Sequence, residues 1–188
     1  MRIVSGSHRG RRLFARPGET VRPTSDRARE ALFNILSHGQ FAAGGATIAG
    51  TAVLDAFAGT GALGLEALSR GAASAVFIER DPEALAALRK NVVALGETTR
   101  AQILAGDATR PPRATVSCGL AFLDPPYRSG LAAPALAALT SAGWFAARAL
   151  IVVEIATRER LAIPAGFTPL DERVYGAARL VFLRREAG

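Results

Sequence analysis

The sequence predicts an α/β fold: a mostly parallel sheet with helices on both faces, an antiparallel strand at one edge, and a basic extension at the N-terminus. Three observations carry this. From residue 51 onward, short apolar runs alternate with helix-patterned stretches, the signature of parallel strands joined by crossover helices. The closing segment "FTPLDERVYGAARLVFLRRE" instead reads as two consecutive strands joined near Gly176, a hairpin-like antiparallel edge. Charge is concentrated at the start. Residues 1–30 hold eight arginines against three carboxylates, a net of +5, which leaves only +2 of the chain's total of +7 for the rest.

Taken in order, residues 1–24 mix Arg, Gly, Ser and Pro with apolar pairs such as Ile3–Val4 and Leu13–Phe14, and read as an arm with one or two short strands. A helix follows over roughly 26–38, where Ala28, Ala31, Leu32, Ile35 and Leu36 share one face and Ser25 or Asp26 can cap the start. The glycine-rich segment 39–50 is a loop. "TAVLDAF" (51–57) is a strand, and "GALGLEALSRG" (61–71) is a helix ended by Gly71. "SAVFIE" (74–79) is a strand, and "DPEALAALRKNVVALG" (81–96) is a helix with Pro82 in its first turn. "AQILAGD" (101–107) and "CGLAFLD" (118–124) are strands, "LAAPALAALTSAG" (131–143) is helical, and "ALIVVEIA" (149–156) is a strand. By role the chain divides into a basic arm and helix, 1–38, and a body, 39–188.

The totals narrow the function. A chain of 188 residues, 49% hydrophobic and 21% charged, suits one soluble domain with a full core. No apolar run approaches the ~20 residues of a membrane span, and no export signal follows the basic start, so the expected place is the cytoplasm and no membrane partner is expected. Cys118 is the only cysteine, and His8 and His38 are the only histidines, so neither a disulfide nor a metal site is expected. The concentrated arginines are an electrostatic footprint for a polyanion, or a solubilising tail.

"VLDAFAGTGALG" sets Gly59, Gly61 and Gly64 between a strand and a helix. This G-x-G-x-x-G loop lets backbone approach a ligand and points helix N-terminal amides at it. Glu79, twenty residues beyond Gly59 and at the end of the next strand, is placed to take a ribose hydroxyl pair. Before the loop stand Asp55 and then Ala56-Phe57-Ala58, where a dinucleotide loop would bring its first glycine straight off the strand. A carboxylate there suits a cation, such as the ammonium and sulfonium of S-adenosylmethionine, better than pyrophosphate. Asp107 can accept from an adenine amino group, or can equally be a turn cap. Asp55, Glu79, Asp107 and Asp124 all fall at the carboxyl ends of expected parallel strands, the rim where ligands bind in open α/β sheets.

At Asp124-Pro125-Pro126-Tyr127 a buried-looking strand stops in a stiff corner, because proline fixes its own φ and holds the preceding residue extended. The corner offers the Asp124 carboxylate and the Pro125 carbonyl as fixed acceptors, a match for an NH2 group with two hydrogens to donate. An exocyclic nucleobase amine is a poor nucleophile, since its lone pair is delocalised; accepting both hydrogens favours a pyramidal, reactive nitrogen. Tyr127 can stack on the base, worth about 1–3 kcal/mol. The plainer reading is a turn that caps a strand, with Tyr127 as a lid.

"DPPY" resembles the signature of amino-group methyltransferases that act on nucleobases. With "RIVSGSHRGRRL", "RPTSDRAREALFNIL", "DAFAGTGALGLEALSRGA", "DPPYRSGL" and "VYGAARLVFLRRE" in order, the chain resembles the bacterial RsmD-type family over nearly its whole length. That resemblance implies a Rossmann-like S-adenosylmethionine-dependent methyltransferase fold. It implies transfer to the N2 amine of a guanine in 16S ribosomal RNA, of the guanine(966)-N2 type, in a 30S subunit or an assembly intermediate. It further implies that Asp55, Phe57, Gly59, Gly61, Glu79, Asp107, Ala108 and Thr24 line the cofactor. Asp124 to Tyr127 would hold the target base, and Arg9, Arg11, Arg12 and Arg22 would contact RNA. Two other classes share parts of the pattern. An NAD-dependent oxidoreductase shares the glycine loop but explains neither DPPY nor the arm. A DNA adenine-N6 methyltransferase shares both motifs, but such enzymes usually carry a target-recognition region for which 188 residues leave no room. The segment 109–118 matches no pattern.

Overall fold

A computed structural model describes residues 1–15, 23–38, 41 and 48–187, with only the backbone of 23–28 and 38. Its elements are α1 (Pro23–His38), β1 (Ala52–Ala56), α2 (Ala62–Ser69), β2 (Ser74–Glu79), α3 (Pro82–Leu95), β3 (Ala101–Ala105), β4 (Cys118–Leu123), α4 (Ala132–Ser141), β5 (Phe145–Ala156), β6 (Phe167–Tyr175) and β7 (Ala178–Arg185). The strands form one sheet in the order β3-β2-β1-β4-β5-β7-β6. The first five pair in parallel, and β7 runs antiparallel to both β5 and β6. Among the described residues no helix is long and apolar enough to cross a membrane, and no group of His, Cys, Asp and Glu could hold a metal ion.

Alternation along the strands builds two cores. Val53, Phe77, Phe122, Val152 and Phe182 face α1, α2 and α3. Leu54, Ile78, Leu123, Ile151 and Leu183 face α4 and Trp144. Both faces of the central strands are therefore dry, which is why β1, β2 and β4 read as continuous apolar runs, whereas β3 is only partly covered and β6 is largely exposed. Each fully buried Leu, Ile or Phe contributes roughly 1.5–3 kcal/mol.

The boundaries depart from the sequence reading in places, each for a local reason. α1 starts at Pro23, not near 26, since a proline in the first turn gives up no intrahelical bond. β5 starts at Phe145, four residues before the expected strand. A shift in the β4–β5 register between Cys118 and Leu120 accommodates the extra length, with Arg148 at φ 61° beside it. The stretch between β3 and β4, unmatched by any pattern, forms neither helix nor strand. It is tethered instead: the Trp144 indole donates to the Pro112 carbonyl at 2.9 Å, and Ala114 N–H donates to Ala142 O at 2.9 Å.

Among its described residues the arm forms no strand ladder, only an isolated bridge between Arg2 and Arg12. It is nonetheless fixed to the body. Ile3 and Leu13 are buried in the first core. Glu66, fully buried in α2, accepts Val4 N–H at 2.7 Å, Ser5 N–H at 3.0 Å and the Arg70 guanidinium at 2.8 Å. Ser69 Oγ donates to Ser5 O at 2.5 Å and accepts from His8 N–H at 3.0 Å, while His8 Nε2 meets Glu97 at 2.5 Å. At the other end, Asn91 accepts from Phe14 N–H at 2.6 Å and donates to both Phe14 O and Thr60 O. Thr60 lies in the glycine loop, so one amide joins arm to loop.

Candidate active site

The sheet delivers five carboxylates to one rim: Asp55 from β1, Glu79 from β2, Asp107 after β3, Asp124 after β4 and Glu154 from β5. Four were expected from sequence; Glu154 was not. Register brings them side by side. Asp55 pairs with Phe122, and Leu123 pairs with Val153, so Asp124 follows beside Glu154.

Asp55 is 1% exposed, and its Oδ2 accepts Gly64 N–H at 2.8 Å. Burial pushes its pKa up to about 8, the Glu79 carboxylate adds to the rise, and the Gly64 bond opposes it. Gly64 has no room for a side chain, since a Cβ would sit 2.4 Å from the Phe77 ring. The third glycine thus lets α2 start hard against β2. Gly61 takes φ 85° and Gly59 takes φ 56°. Phe57 is also at positive φ, 64°, a conformation costly for a bulky side chain and of the kind found at functional sites.

Glu79 ties this loop to β2. Its Oε2 accepts Gly59 N–H at 2.7 Å, and its Oε1 accepts Arg80 and Asp81 N–H. A carboxylate has about four acceptor positions and three are taken, so one on Oε2 remains for a ribose hydroxyl. Asp107 serves as a turn cap, one of its two expected roles: Oδ1 accepts both the N–H and the hydroxyl of Thr109 at 2.8 Å, which with Arg80 nearby holds its carboxyl below the usual range. Its Oδ2 lies 3.5 Å from Arg80. Ala108 beside it is buried.

Asp124 reaches solvent, yet protein encloses it on most sides. That enclosure and the Glu154 and Asp55 carboxylates raise its pKa well above the ordinary value. Among the described residues its carboxylate has no hydrogen-bond donor. The Pro126 carbonyl accepts from Ser129 N–H at 3.2 Å, whereas among the described residues the Pro125 carbonyl accepts from no donor. Two glutamates that sequence reasoning missed anchor the corner. Tyr127 OH donates to Glu154 Oε1 at 2.7 Å, and Arg128 N–H, at φ 58°, donates to Glu159 at 3.0 Å. Burial also raises the Glu154 pKa, and the Tyr127 bond opposes it. The signal for Glu154 was present: "VVEIA" carries a lone carboxylate late in an apolar strand, the same cue that marked Asp55.

Arg9, Arg11 and Arg12 are exposed on the arm, and Arg11 spends one donor on Ala94 O at 2.8 Å. Arg22 lies outside the described residues, and of Thr24 only its place in the first turn of α1 is described.

The Asp55 pKa predicts pH-dependent stability. The acid is about 8 folded and near 3.8 unfolded, so its contribution is full below about pH 4 and is lost as pH rises through 8. Asp55→Asn keeps an acceptor for Gly64. Thermal melts at pH 5 and pH 8 are expected to show a smaller decline in this variant, by on the order of a few kcal/mol. An undiminished decline would clear Asp55 of that role.

This rim and corner invite comparison with known proteins. Residues 1–184 match the family described as Conserved hypothetical protein 95. The chain is 37% identical over 188 residues to "Ribosomal RNA small subunit methyltransferase D" of Escherichia coli (strain K12), covering all of this chain and 91% of the relative. The chain belongs to the RsmD family. The Haemophilus influenzae relative of the same name is 36% identical over 180 residues, 94% of this chain and 89% of the relative. The structure of "Putative methyltransferase yhhF from Escherichia coli" superposes with a TM-score of 0.83 at 36% identity, covering 100% of this chain and 99% of that one. The RsmD fold is the Rossmann-like methyltransferase fold, with its antiparallel pairings gathered at one side of the sheet. Membership leaves the oxidoreductase reading of the glycine loop without support.

Proposed function

We propose that the chain moves a methyl group from S-adenosylmethionine to the N2 amine of a guanine in small-subunit ribosomal RNA, of the guanine(966)-N2 type, in a 30S subunit or an assembly intermediate. The observation that carries this is the DPPY corner. Among the described residues, Asp124 and Pro125 present two acceptors that meet no donor, beside the buried Asp55 carboxyl, which meets no cation. The donor set fits the cofactor: Asp55 suits a cation, the remaining acceptor position of Glu79 suits a ribose hydroxyl, and Gly59 and Gly61 allow close approach. Phe57 walls the loop, and Asp107, Ala108 and Thr24 complete the adenine side. Bound there, S-adenosylmethionine supplies an electrophilic methyl group.

The chain's own work is positioning. Asp124 and the Pro125 carbonyl accept the two amine hydrogens and localise the nitrogen lone pair. Tyr127, half-exposed and held at its hydroxyl by Glu154, offers a ring face for the base. The relatives' names point to ribosomal RNA, and the arginines of region 1–38 supply its phosphate contacts. Such a role belongs in the cytoplasm. The deciding experiment incubates the protein with labelled S-adenosylmethionine and 30S particles, then maps the modified base. Label on a guanine N2 supports the reading, and label on adenine N6, or none, overturns it.

The arm carries its own expected result. Each phosphate contact adds about −0.7 to −0.9 to the slope of log affinity against log salt. Replacing Arg9, Arg11 and Arg12 with alanine should weaken RNA binding and flatten that slope by about 2, with cofactor affinity nearly unchanged. Binding equal to the original at every salt concentration would make the arginines a solubilising surface.

A further inference from the structure

We propose that Glu154 selects guanine, its free carboxylate oxygen accepting the N1–H of the same base whose N2 amine Asp124 and Pro125 hold. This rests on the guanine-N2 reading above. Register sets Asp124 beside Glu154 at the ends of neighbouring parallel strands. Phe122 and Val152, two residues earlier, both face the first core, so the two carboxylates emerge on one side of the sheet, the side of Asp55. Tyr127 OH fixes Glu154 Oε1 at 2.7 Å, which orients the group and leaves Oε2 without a partner among the described residues. The same tyrosine therefore provides the ring against which a base lies and the bond that aims the carboxylate at its edge.

Base chemistry then decides. Guanine presents N1–H and N2–H2 side by side, a row of donors. Adenine and 2-aminopurine present a lone pair at N1 next to their amine. An ionised carboxylate only accepts, so it matches the first edge and repels the others. A site built to hydrogen-bond a substrate N–H rejects an analogue that lacks it far more strongly than an apolar pocket does. A lone Asp124 could not make this distinction, because both edges offer it an NH2.

Glu154→Gln tests the idea with volume and the Tyr127 acceptor kept, while adding an NH2 that can face a lone pair. Once the modified guanine is mapped, two small-subunit RNAs are ligated that differ only there, guanine or 2-aminopurine. Each is reconstituted into particles. Binding in the presence of S-adenosylhomocysteine and single-turnover methylation are measured for both. The original protein should favour guanine by about 10-fold or more in both measurements. Glu154→Gln should bring the ratio to within about 3-fold of unity, with S-adenosylhomocysteine affinity unchanged. If Glu154 only holds Tyr127, Glu154→Gln will change little, Tyr127→Phe will slow both RNAs alike, and the ratio will stay intact in both variants, which overturns the proposal. An original protein with no preference overturns it too. Failure to methylate any guanine-containing particle removes the guanine-N2 reading itself, a separate outcome from an unchanged ratio.

Discussion

Asp124→Ala is expected to cut methyl transfer by about 10²- to 10³-fold, the scale of one preorganised electrostatic contact. The fold should not suffer. Asp124 makes no side-chain hydrogen bond among the described residues, and its enclosure by protein, followed by the Glu154 and Asp55 carboxylates, raises its pKa. For such an acid, the stability contribution is present below the unfolded pKa and is lost as pH rises through the folded one. Removing it should leave the protein at least as stable at pH 8 and make the decline from pH 5 shallower. S-adenosylhomocysteine affinity should hold. Single-turnover rates, calorimetry and melts at the two pH values test all three parts together. A variant that methylates at nearly the original rate would remove the corner from the chemistry. A variant that loses both activity and stability would mark Asp124 as a structural residue.

The second large effect concerns one glycine in the arm. Gly6 sits at φ 83°, and a Cβ there would lie 1.9 Å from the Ser69 carbonyl oxygen. The obstacle is helix backbone, so the arm must lift. Lifting takes Ile3 and Leu13 from the core and strips Glu66 of two N–H donors, which leaves a buried carboxylate short of partners. Gly6→Ala should cost about 3 kcal/mol in urea unfolding and release amide protection over residues 3–13. Gly10→Ala is the control. Gly10 has φ 82° but nothing within 4 Å, so only the left-handed conformation is penalised, by about 1 kcal/mol. Equal losses in the two variants would mean that the arm does not seat on Ser69.

Much of this was legible in the sequence. β2 spans the expected residues, because dry flanks on both sides give an unbroken apolar run. Asp55, Glu79, Asp107 and Asp124 reach one rim because each ends a strand of the same direction. What sequence could not supply was contact at a distance. Glu66 and Asn91 read as ordinary polar positions on helices, yet both are buried and paired with arm residues far away along the chain. Glu154 differs: its place late in an apolar strand is legible, but its partner Asp124 depends on the β4–β5 register, which no local pattern encodes. Asp107 shows the converse, a motif residue whose nearer oxygen does the commonplace work of capping a turn.

The arm's anchors also set an order in time. Val4 waits for Glu66, Phe14 for Asn91 and His8 for Glu97, separations of 62, 77 and 89 residues. At about 5–20 residues per second of synthesis, the arm spends roughly 3–18 s without the surface that will hold it. During that interval its arginines, Ile3 and Leu13 face solvent. N-terminal fragments that stop short of Glu66 should therefore keep the arm open to proteases, and those that reach past Glu97 with a folded sheet should close it.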